Sequence, residues 1–312
     1  MVSCSACGVS HKARQRGVTF HRIVNQEGQK VPINYPNLCE ETARKFCPKI
    51  KSFEVKDDDI FLVGIPKSGT TWAQEMIWLI KNDLDYEGAK EYLHIRFPTI
   101  EKSGIEVNLP RCYEPDSIEF CKNMRRPRAI KTHLSPEYLP EQLLNDEKEV
   151  KTVYIARNVK DVCLSTYYYF RDKLNLNLGS LEHYGKVMMR GTFPRENYWN
   201  HVLYLWNRRY EKNILFIKYE DMKSDLRAVI RKVSTFLGKS LTMKQEEELV
   251  KWLDFESFKK NDAVNQVHFY KKDGFVRKGK IGGYKEEMSP ELILEFDKWS
   301  NECLKNSDYK YD

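Results

Sequence analysis

A lysine placed between two glycines is the feature of this sequence that points most directly to chemistry. Residues 59–72 read DIFLVGIPKSGTTW, with Lys67 between Gly64 and Gly69. The apolar run that opens this stretch predicts a buried central strand, and the residues that follow, apolar at helical spacing, predict a helix. A strand, a glycine loop and a helix N-terminus present backbone N–H groups to an anion, which the ammonium of Lys67 would also contact. The stretch therefore predicts a phosphate-binding loop.

This loop departs from the one that binds nucleoside triphosphates, which reads G-x-x-x-x-G-K-[ST]. Gly64 and Gly69 keep the spacing of that motif, but Thr70 stands where its lysine belongs, and the lysine lies at position 67. The loop can still hold a phosphate, but it has lost the usual arrangement for a magnesium-bound triphosphate. A P-loop kinase or nucleotidase remains an alternative, which metal dependence would reveal.

Further candidate residues follow two other apolar segments. The segment 128–134, RAIKTHL, contains Lys131 and His133 near its end. At the carboxyl edge of a parallel strand, such side chains face the ligand crevice of the sheet. Arg157 directly follows the apolar segment KTVYIA, and its planar guanidinium suits a phosphate dianion.

A basic loop near the C-terminus predicts a second anion contact. Arg277, Lys278 and Gly279 place two cations and a flexible backbone N–H side by side, which makes a suitable nest for a phosphate. The chain as a whole has a net charge of +7 and a pI of about 8.8. This positive charge suits a polyanionic small ligand, but a protein with weak affinity for nucleic acid would have a similar charge.

The elements that must position these residues form an α/β pattern. Apolar strands are predicted near residues 60, 130, 153 and 215, and helical segments alternate with them. This order predicts a central parallel sheet flanked by helices, similar to P-loop-containing nucleoside triphosphate hydrolases, with ligands at its carboxyl edge. A chain of 312 residues can bury one full core as a single domain, which we place at residues 35–312.

Four motifs, taken together and in this order, resemble those of the cytosolic sulfotransferases. They are PKSGTTW at 66–72, KTHL at 131–134, R-N-x-K-D-V-x-x-S at 157–165 and RKG at 277–279. The resemblance covers roughly residues 40–300 and implies 3′-phosphoadenosine 5′-phosphosulfate (PAPS) as co-substrate, with no metal. It implies transfer of a sulfonate group to the hydroxyl or amine of a small, largely apolar alcohol, phenol or amine. A dehydratase variant of the family, which eliminates sulfate from a sulfonated alcohol, is a close alternative.

The resemblance also implies roles for individual residues. His133 would be the general base, with Lys67, Lys131 and Ser165 as the other catalytic residues. The residues expected at the 5′-phosphosulfate are Lys67, Ser68, Gly69, Thr70 and Thr71. Those expected at the 3′-phosphate are Arg157, Ser165, Arg277, Lys278 and Gly279. The aromatic residues expected at the adenine are Trp72, Trp199, Phe258 and Phe275. The K-Y-E-D-M sequence at 218–222 is interpreted as architectural.

The first 34 residues are predicted to form a flexible extension. Cys4 and Cys7 form a C-x-x-C pair, and the first 22 residues are similar to the opening of THAP-type zinc fingers, which bind DNA. The second half of such a site, a later C-x-x-H pair, is missing, because Cys39 and Cys47 are followed by Pro48 and not by a histidine. A zinc-dependent DNA-binding protein is thus a third alternative, and nucleic acid is not an expected partner.

The sequence also bears on the cellular location and the oligomeric state of the protein. No apolar run approaches eighteen residues, so no membrane segment is predicted. Eight cysteines without regular spacing fit reduced thiols in the cytoplasm. The dimer motif of the family would begin at Lys285, but Ser289 and Pro290 occupy its Thr-Val positions. A homodimer remains open, but the degraded motif does not predict one.

Overall fold

The computed structural model describes residues 40–104, 116–144, 148, 150–173, 176–191, 197–265 and 276–311. Its centre is a parallel sheet of four strands, which are β1 Ile60–Val63, β2 Ala129–Thr132, β3 Lys151–Ala156 and β4 Ile214–Lys218. Their order across the sheet is β2-β1-β3-β4. All four predicted strands and the parallel α/β architecture are confirmed.

Helices connect the strands and cover the sheet. The α-helices are Glu40–Lys51, Thr70–Lys81, Leu93–Arg96, Ser117–Lys122, Glu141–Leu144, Val159–Tyr168, Leu181–Met189, Tyr198–Asn207, Tyr219–Ser224, Leu226–Leu237, Met243–Leu253, Phe255–Lys260, Asp262–Asn265, Tyr284–Glu287 and Pro290–Leu304. A π-helical turn at Tyr169–Lys173 extends one of them, and short 3₁₀ turns lie at Gly88–Lys90, Lys102–Gly104 and Pro136–Tyr138. Within the described ranges, every helix is too short or too polar to cross a bilayer.

The core lies on both faces of the sheet. All four side chains of β1 are buried, as expected for a central strand of a parallel sheet. Because successive side chains of a strand point to opposite faces, Phe61 and Val63 pack into one apolar cluster and Ile60 and Leu62 into the other. Helices cover both clusters.

The strand register brings the carboxyl ends of three strands together. Val63, at the end of β1, lies beside Thr132 of β2 and Tyr154 of β3. The residues that follow these strands begin the glycine loop, the His133 segment and the Arg157 segment. The three motifs found separately along the sequence therefore meet at one edge of the sheet.

Candidate active site

Ser68 anchors the glycine loop through hydrogen bonds inside the protein. Its hydroxyl donates to the carbonyl of Ile65 at 2.7 Å and to that of Ile155 at 3.2 Å, and its backbone N–H donates to Ile65 at 3.2 Å. With both donors used inside the protein, Ser68 fixes the loop to β3. Its side chain is buried beneath the loop, so the predicted contact of Ser68 with the cofactor stays a prediction.

Gly69 ends the loop in a conformation that requires glycine. Its φ angle is 97°, and a Cβ there would lie 2.6 Å from the ring of Tyr219. It caps the helix Thr70–Lys81 but has no side chain to accept hydrogen bonds from the first helical N–H groups. The N–H groups of Thr70 and Thr71 thus lie at the positive end of the helix, a position that favours an anion.

Lys67 lies in the loop close to other positively charged side chains. Its φ angle is 69°, a left-handed conformation that a residue with a side chain adopts at a cost. Its ammonium lies 4.7 Å from the ring centroid of Tyr169. Burial, together with the charges of Arg157 and Arg277, lowers the pKa of Lys67 well below its ordinary value. A polyanion beside Lys67 would relieve this repulsion.

Arg157 ties the glycine loop to the basic loop. One terminal nitrogen donates to the carbonyl of Lys67 at 3.1 Å and the other to the carbonyl of Lys280 at 2.9 Å. The guanidinium lies over the ring of Tyr219, with its central carbon 4.4 Å from the centroid. The remaining Nε is buried and finds no hydrogen-bond partner among the described residues. A buried, unsatisfied charged donor fits a phosphate ligand at this point.

The basic loop takes its shape from a carboxylate and a glycine. Asp161 accepts hydrogen bonds from the backbone N–H groups of Gly282 at 2.8 Å and Tyr284 at 3.2 Å. Gly279 has a φ angle of 60°, and a Cβ there would overlap the ring of Phe255. These contacts fix the loop over the helix Val159–Tyr168.

One cavity joins these parts. It has a volume of about 100 Å³ and is partly open to solvent. The predicted site residues that line it are Lys67, Gly69, Thr70, Thr71, Trp72, Arg157, Ser165, Phe258, Arg277, Lys278 and Gly279. The two sets of predicted phosphate ligands and two of the predicted aromatic residues therefore share a single cavity.

Tyr219 is a cavity residue that the sequence analysis missed. Its ring meets that of Trp72 edge to face, with centroids 5.8 Å apart, and its hydroxyl donates to the carbonyl of Gly279 at 3.1 Å. The interpretation of K-Y-E-D-M as architectural is therefore incomplete. Tyr219 directly follows β4, so the carboxyl-edge rule that identified His133 and Arg157 also applied to it.

Trp199 does not lie at this cavity, and its assignment to the adenine is corrected. Its side chain is fully buried, its Nε1–H donates to Ser300 at 3.2 Å, and its ring packs against those of Tyr309 and Tyr311. Large apolar area and a satisfied indole N–H make it a core residue. Phe275, the remaining predicted aromatic, falls outside the described residues.

His133 lies beside the glycine loop at the end of β2. Its Nδ1 is 2.5 Å from the carbonyl of Gly64, and its backbone N–H donates to the buried carboxylate of Glu101 at 2.7 Å. A carbonyl only accepts, so Nδ1 carries the proton and Nε2 keeps its lone pair. Burial and the charge of Lys131 lower the pKa of His133 well below its ordinary value. The ring is therefore neutral at pH 7 and able to accept a proton.

Lys131 lies next to this ring rather than on the cavity wall. Its side chain is half-buried, and its charge lowers the pKa of both His133 and Lys67. Lys131 thus contributes positive potential to both groups.

Comparison with known proteins identifies the family. The family model described as "Sulfotransferase domain" matches residues 57–308. The luciferin sulfotransferase of Photinus pyralis is 38% identical over 307 residues, which span 92% of this chain and 80% of that protein. Sulfotransferase 1E1 of Homo sapiens is 30% identical over 275 residues, spanning 86% and 90%. The chain belongs to the sulfotransferase family.

Solved structures agree with this assignment. The crystal structure of retinol dehydratase in complex with androsterone and the inactive cofactor PAP has a TM-score of 0.80 and 29% identity, over 87% of this chain and 88% of that one. Mouse sulfotransferase SULT7A1 complexed with PAP has a TM-score of 0.69 and 28% identity, over 86% and 91%. The predicted family, fold and enzyme class are confirmed. The similarity of the first residues to a zinc finger is not borne out, and these residues lie outside the described ranges.

Proposed function

We propose that this enzyme transfers the sulfonate group of PAPS to a hydroxyl or amine of a small, largely apolar acceptor, with His133 as general base. The observation that carries the proposal is the single cavity in which the glycine loop and the basic loop converge. A nucleotide with phosphates at both its 5′ and 3′ positions needs two such anion sites joined by an aromatic wall. Titration with PAP, the adenosine 3′,5′-bisphosphate product, tests the co-substrate assignment.

The two phosphate-binding regions have different proposed roles. The transfer end consists of Lys67, the helix start at Thr70 and Thr71, and the adjacent Lys131 and His133. The 3′-phosphate end consists of Arg157, Ser165, Arg277, Lys278 and Gly279. PAPS supplies the sulfonate group in an activated form, and both ends of the cavity offer donors of the kind that bind phosphate.

At the transfer end, His133 accepts the proton of the acceptor. Its Nε2 has the lone pair, and the carbonyl of Gly64 holds the opposite nitrogen in place. The imidazolium that forms would be stabilised by the same carbonyl. Lys67 neutralises the charge that develops on the nucleotide phosphate, a preorganised contribution of roughly 3 kcal/mol per donor. This arrangement needs no metal, because ammonium groups perform the role of magnesium in kinases.

The aromatic wall would border the adenine. Trp72 is fixed by the hydrogen bond from its Nε1–H to the carbonyl of Leu253 at 2.8 Å. Tyr219 stands edge to face against it, and Phe258 is buried in the same wall. Flat, immobilised rings suit a purine, and each stacked base contributes about 1–3 kcal/mol.

The acceptor class rests on the relatives. Their names refer to luciferin, and the retinol dehydratase structures contain retinol or androsterone, all small molecules. We expect this chain to act on an alcohol, phenol or amine of similar size in the cytoplasm. Because a retinol dehydratase is a structural neighbour, elimination of sulfate is the second candidate function.

Product analysis distinguishes the candidates. The full chain is incubated with PAPS and a panel of phenols, alcohols and amines in the presence of EDTA. The products are then identified by mass spectrometry. We expect sulfate esters or sulfamates to accumulate. A dehydrated product with free sulfate would indicate the elimination reaction instead, and activity that appears only with added metal would contradict the proposed mechanism.

A further inference from the structure

Glu287 contacts the cations that the proposed function assigns to the 3′-phosphate. Its Oε1 accepts from Lys278 Nζ at 3.0 Å and lies 3.4 Å from a terminal nitrogen of Arg277. The hydroxyl of Tyr168 donates to Oε2. The guanidinium of Arg277 in turn lies over the Tyr168 ring, 4.7 Å from its centroid. The carboxylate is thus held on the cavity wall by two cations and a hydroxyl.

This carboxylate is ionised at neutral pH. Partial burial opposes its ionisation, but hydrogen bonds from Tyr168 and Lys278 and the charge of Arg277 outweigh that effect, so the pKa of Glu287 lies below its ordinary value. Its side chain is only 18% exposed, compared with 51% for that of Lys278. Because the carboxylate is mostly buried, its ion pairs are screened less than a pair between two exposed groups.

We propose that Glu287 is an internal competitor of the nucleotide 3′-phosphate. The carboxylate gives up its contacts with Arg277 and Lys278 when these residues bind the phosphate, and it regains them when the product leaves. This inference rests on the proposed assignment of the two cations to the 3′-phosphate. Because one ion pair replaces another, binding gains less free energy than it would with two uncommitted cations, and release of the product is faster.

A different role for Glu287 has the opposite consequence. If the carboxylate orients Arg277 for the phosphate and stays in place, its removal weakens binding of the nucleotide. If it competes, its removal strengthens binding. The sign of the change in affinity therefore decides between the two roles.

The test is calorimetric titration of the full chain and of Glu287→Gln with two nucleotides. Glutamine keeps the size of the side chain and an oxygen for Tyr168, but removes the charge. We expect PAP to bind about tenfold more tightly to Glu287→Gln than to the wild type. Adenosine 5′-monophosphate, which lacks the 3′-phosphate, should bind both proteins within about twofold of each other.

The neighbouring Glu286→Gln variant is the matched control. Glu286 has an exposed side chain that pairs with Lys280 at 3.2 Å, so its loss removes the same charge from the same short helix. We expect PAP affinity to change by less than about twofold there, since exposed ion pairs contribute little. Glu287→Ala, which removes both charge and hydrogen bonds, should shift PAP affinity in the same direction as Glu287→Gln.

Three results would overturn the inference. They are unchanged or weaker PAP binding in both Glu287 variants, an equal gain for the 5′-monophosphate, and an equal gain in Glu286→Gln. Each leaves the proposed function intact, because the wild type would still bind PAP. A wild-type chain that unfolds cooperatively yet shows no PAP binding would instead refute the proposed function, and the inference with it.

Discussion

At the 3′-phosphate end of the cavity, Arg277 and Lys278 contact a carboxylate, whereas at the transfer end Lys67 faces an aromatic ring and the charges of other cations. The first arrangement pairs the cations with a carboxylate. The second places Lys67 near other cations, whose charges together with burial lower its pKa, beside a histidine whose pKa is lowered by burial and by Lys131. Perturbed pKa values cluster at functional sites, so the second arrangement is the one expected where protons and charge move.

This difference predicts that substitutions at the two ends change different kinetic quantities. A group that acts in the transition state lowers kcat when it is removed, whereas a group that holds the ligand equally in both states raises KM. Variants at the transfer end should therefore affect turnover, and those at the 3′-phosphate end should affect affinity.

The largest effect is expected for His133→Ala. Loss of the general base should lower kcat by about 10³-fold, while PAP affinity stays within about threefold of the wild type. Steady-state kinetics and calorimetric titration measure the two quantities. His94→Ala, which removes a half-buried histidine from the helix Leu93–Arg96, is the control and should retain turnover. Loss of PAP binding in His133→Ala would place this residue among the nucleotide ligands.

Arg277→Ala should show the reverse pattern. Removal of a charge-assisted contact of about 1.5–3 kcal/mol predicts a loss of PAP affinity of about 10- to 100-fold, with kcat at saturating PAPS nearly unchanged. The same two measurements apply. Lys280→Ala is the control from the same loop. It removes an ammonium group that pairs with Glu286, and it should cause a clearly smaller loss of PAP affinity. A decrease in kcat comparable to the loss of affinity would erase the distinction between the two ends.

The aromatic wall lies between the two ends, and its substitution separates binding from core packing. Tyr219→Leu removes a ring that contacts Trp72 and Arg157, and should weaken PAP binding by about tenfold. Trp199→Phe should leave PAP affinity unchanged but lower the free energy of unfolding by about 1–2 kcal/mol, because the hydrogen bond from the indole to the Ser300 hydroxyl is lost. Calorimetry and urea unfolding give both values. Weaker PAP binding in Trp199→Phe would restore that residue to the nucleotide site.

The pH profile should reveal both titrating groups of the transfer end. In the proposed mechanism His133 acts in its neutral form, and its pKa is lowered, so kcat/KM should stay constant as the pH falls through 6.5 and decline only below it. Lys67 would act in its charged form, and its pKa is also lowered, so kcat/KM should decline as the pH rises, well before 10.5. An acidic limb at or above pH 6.5 would contradict the environment described for His133.

The strands and loops of the site could be predicted from the sequence because their signals are local. Glycine spacing and apolar runs were enough to place Lys67, His133 and Arg157 at one edge of a parallel sheet. Trp199 was misassigned because an aromatic residue on an amphipathic helix has the same sequence signal in the core as beside a ligand. Tyr219 could have been found by its position directly after β4. Glu287 became a candidate site residue only through a tertiary contact across more than a hundred residues of chain, with Tyr168.

The measurement that tests the central claim most directly is calorimetric titration of the wild-type chain with PAP and with ATP in the presence of EDTA. Two anion sites in one cavity, without the lysine position of a triphosphate loop, predict micromolar or tighter binding of PAP and much weaker binding of ATP. The opposite preference, or ATP binding restored by magnesium, would contradict the account and favour a kinase-like enzyme.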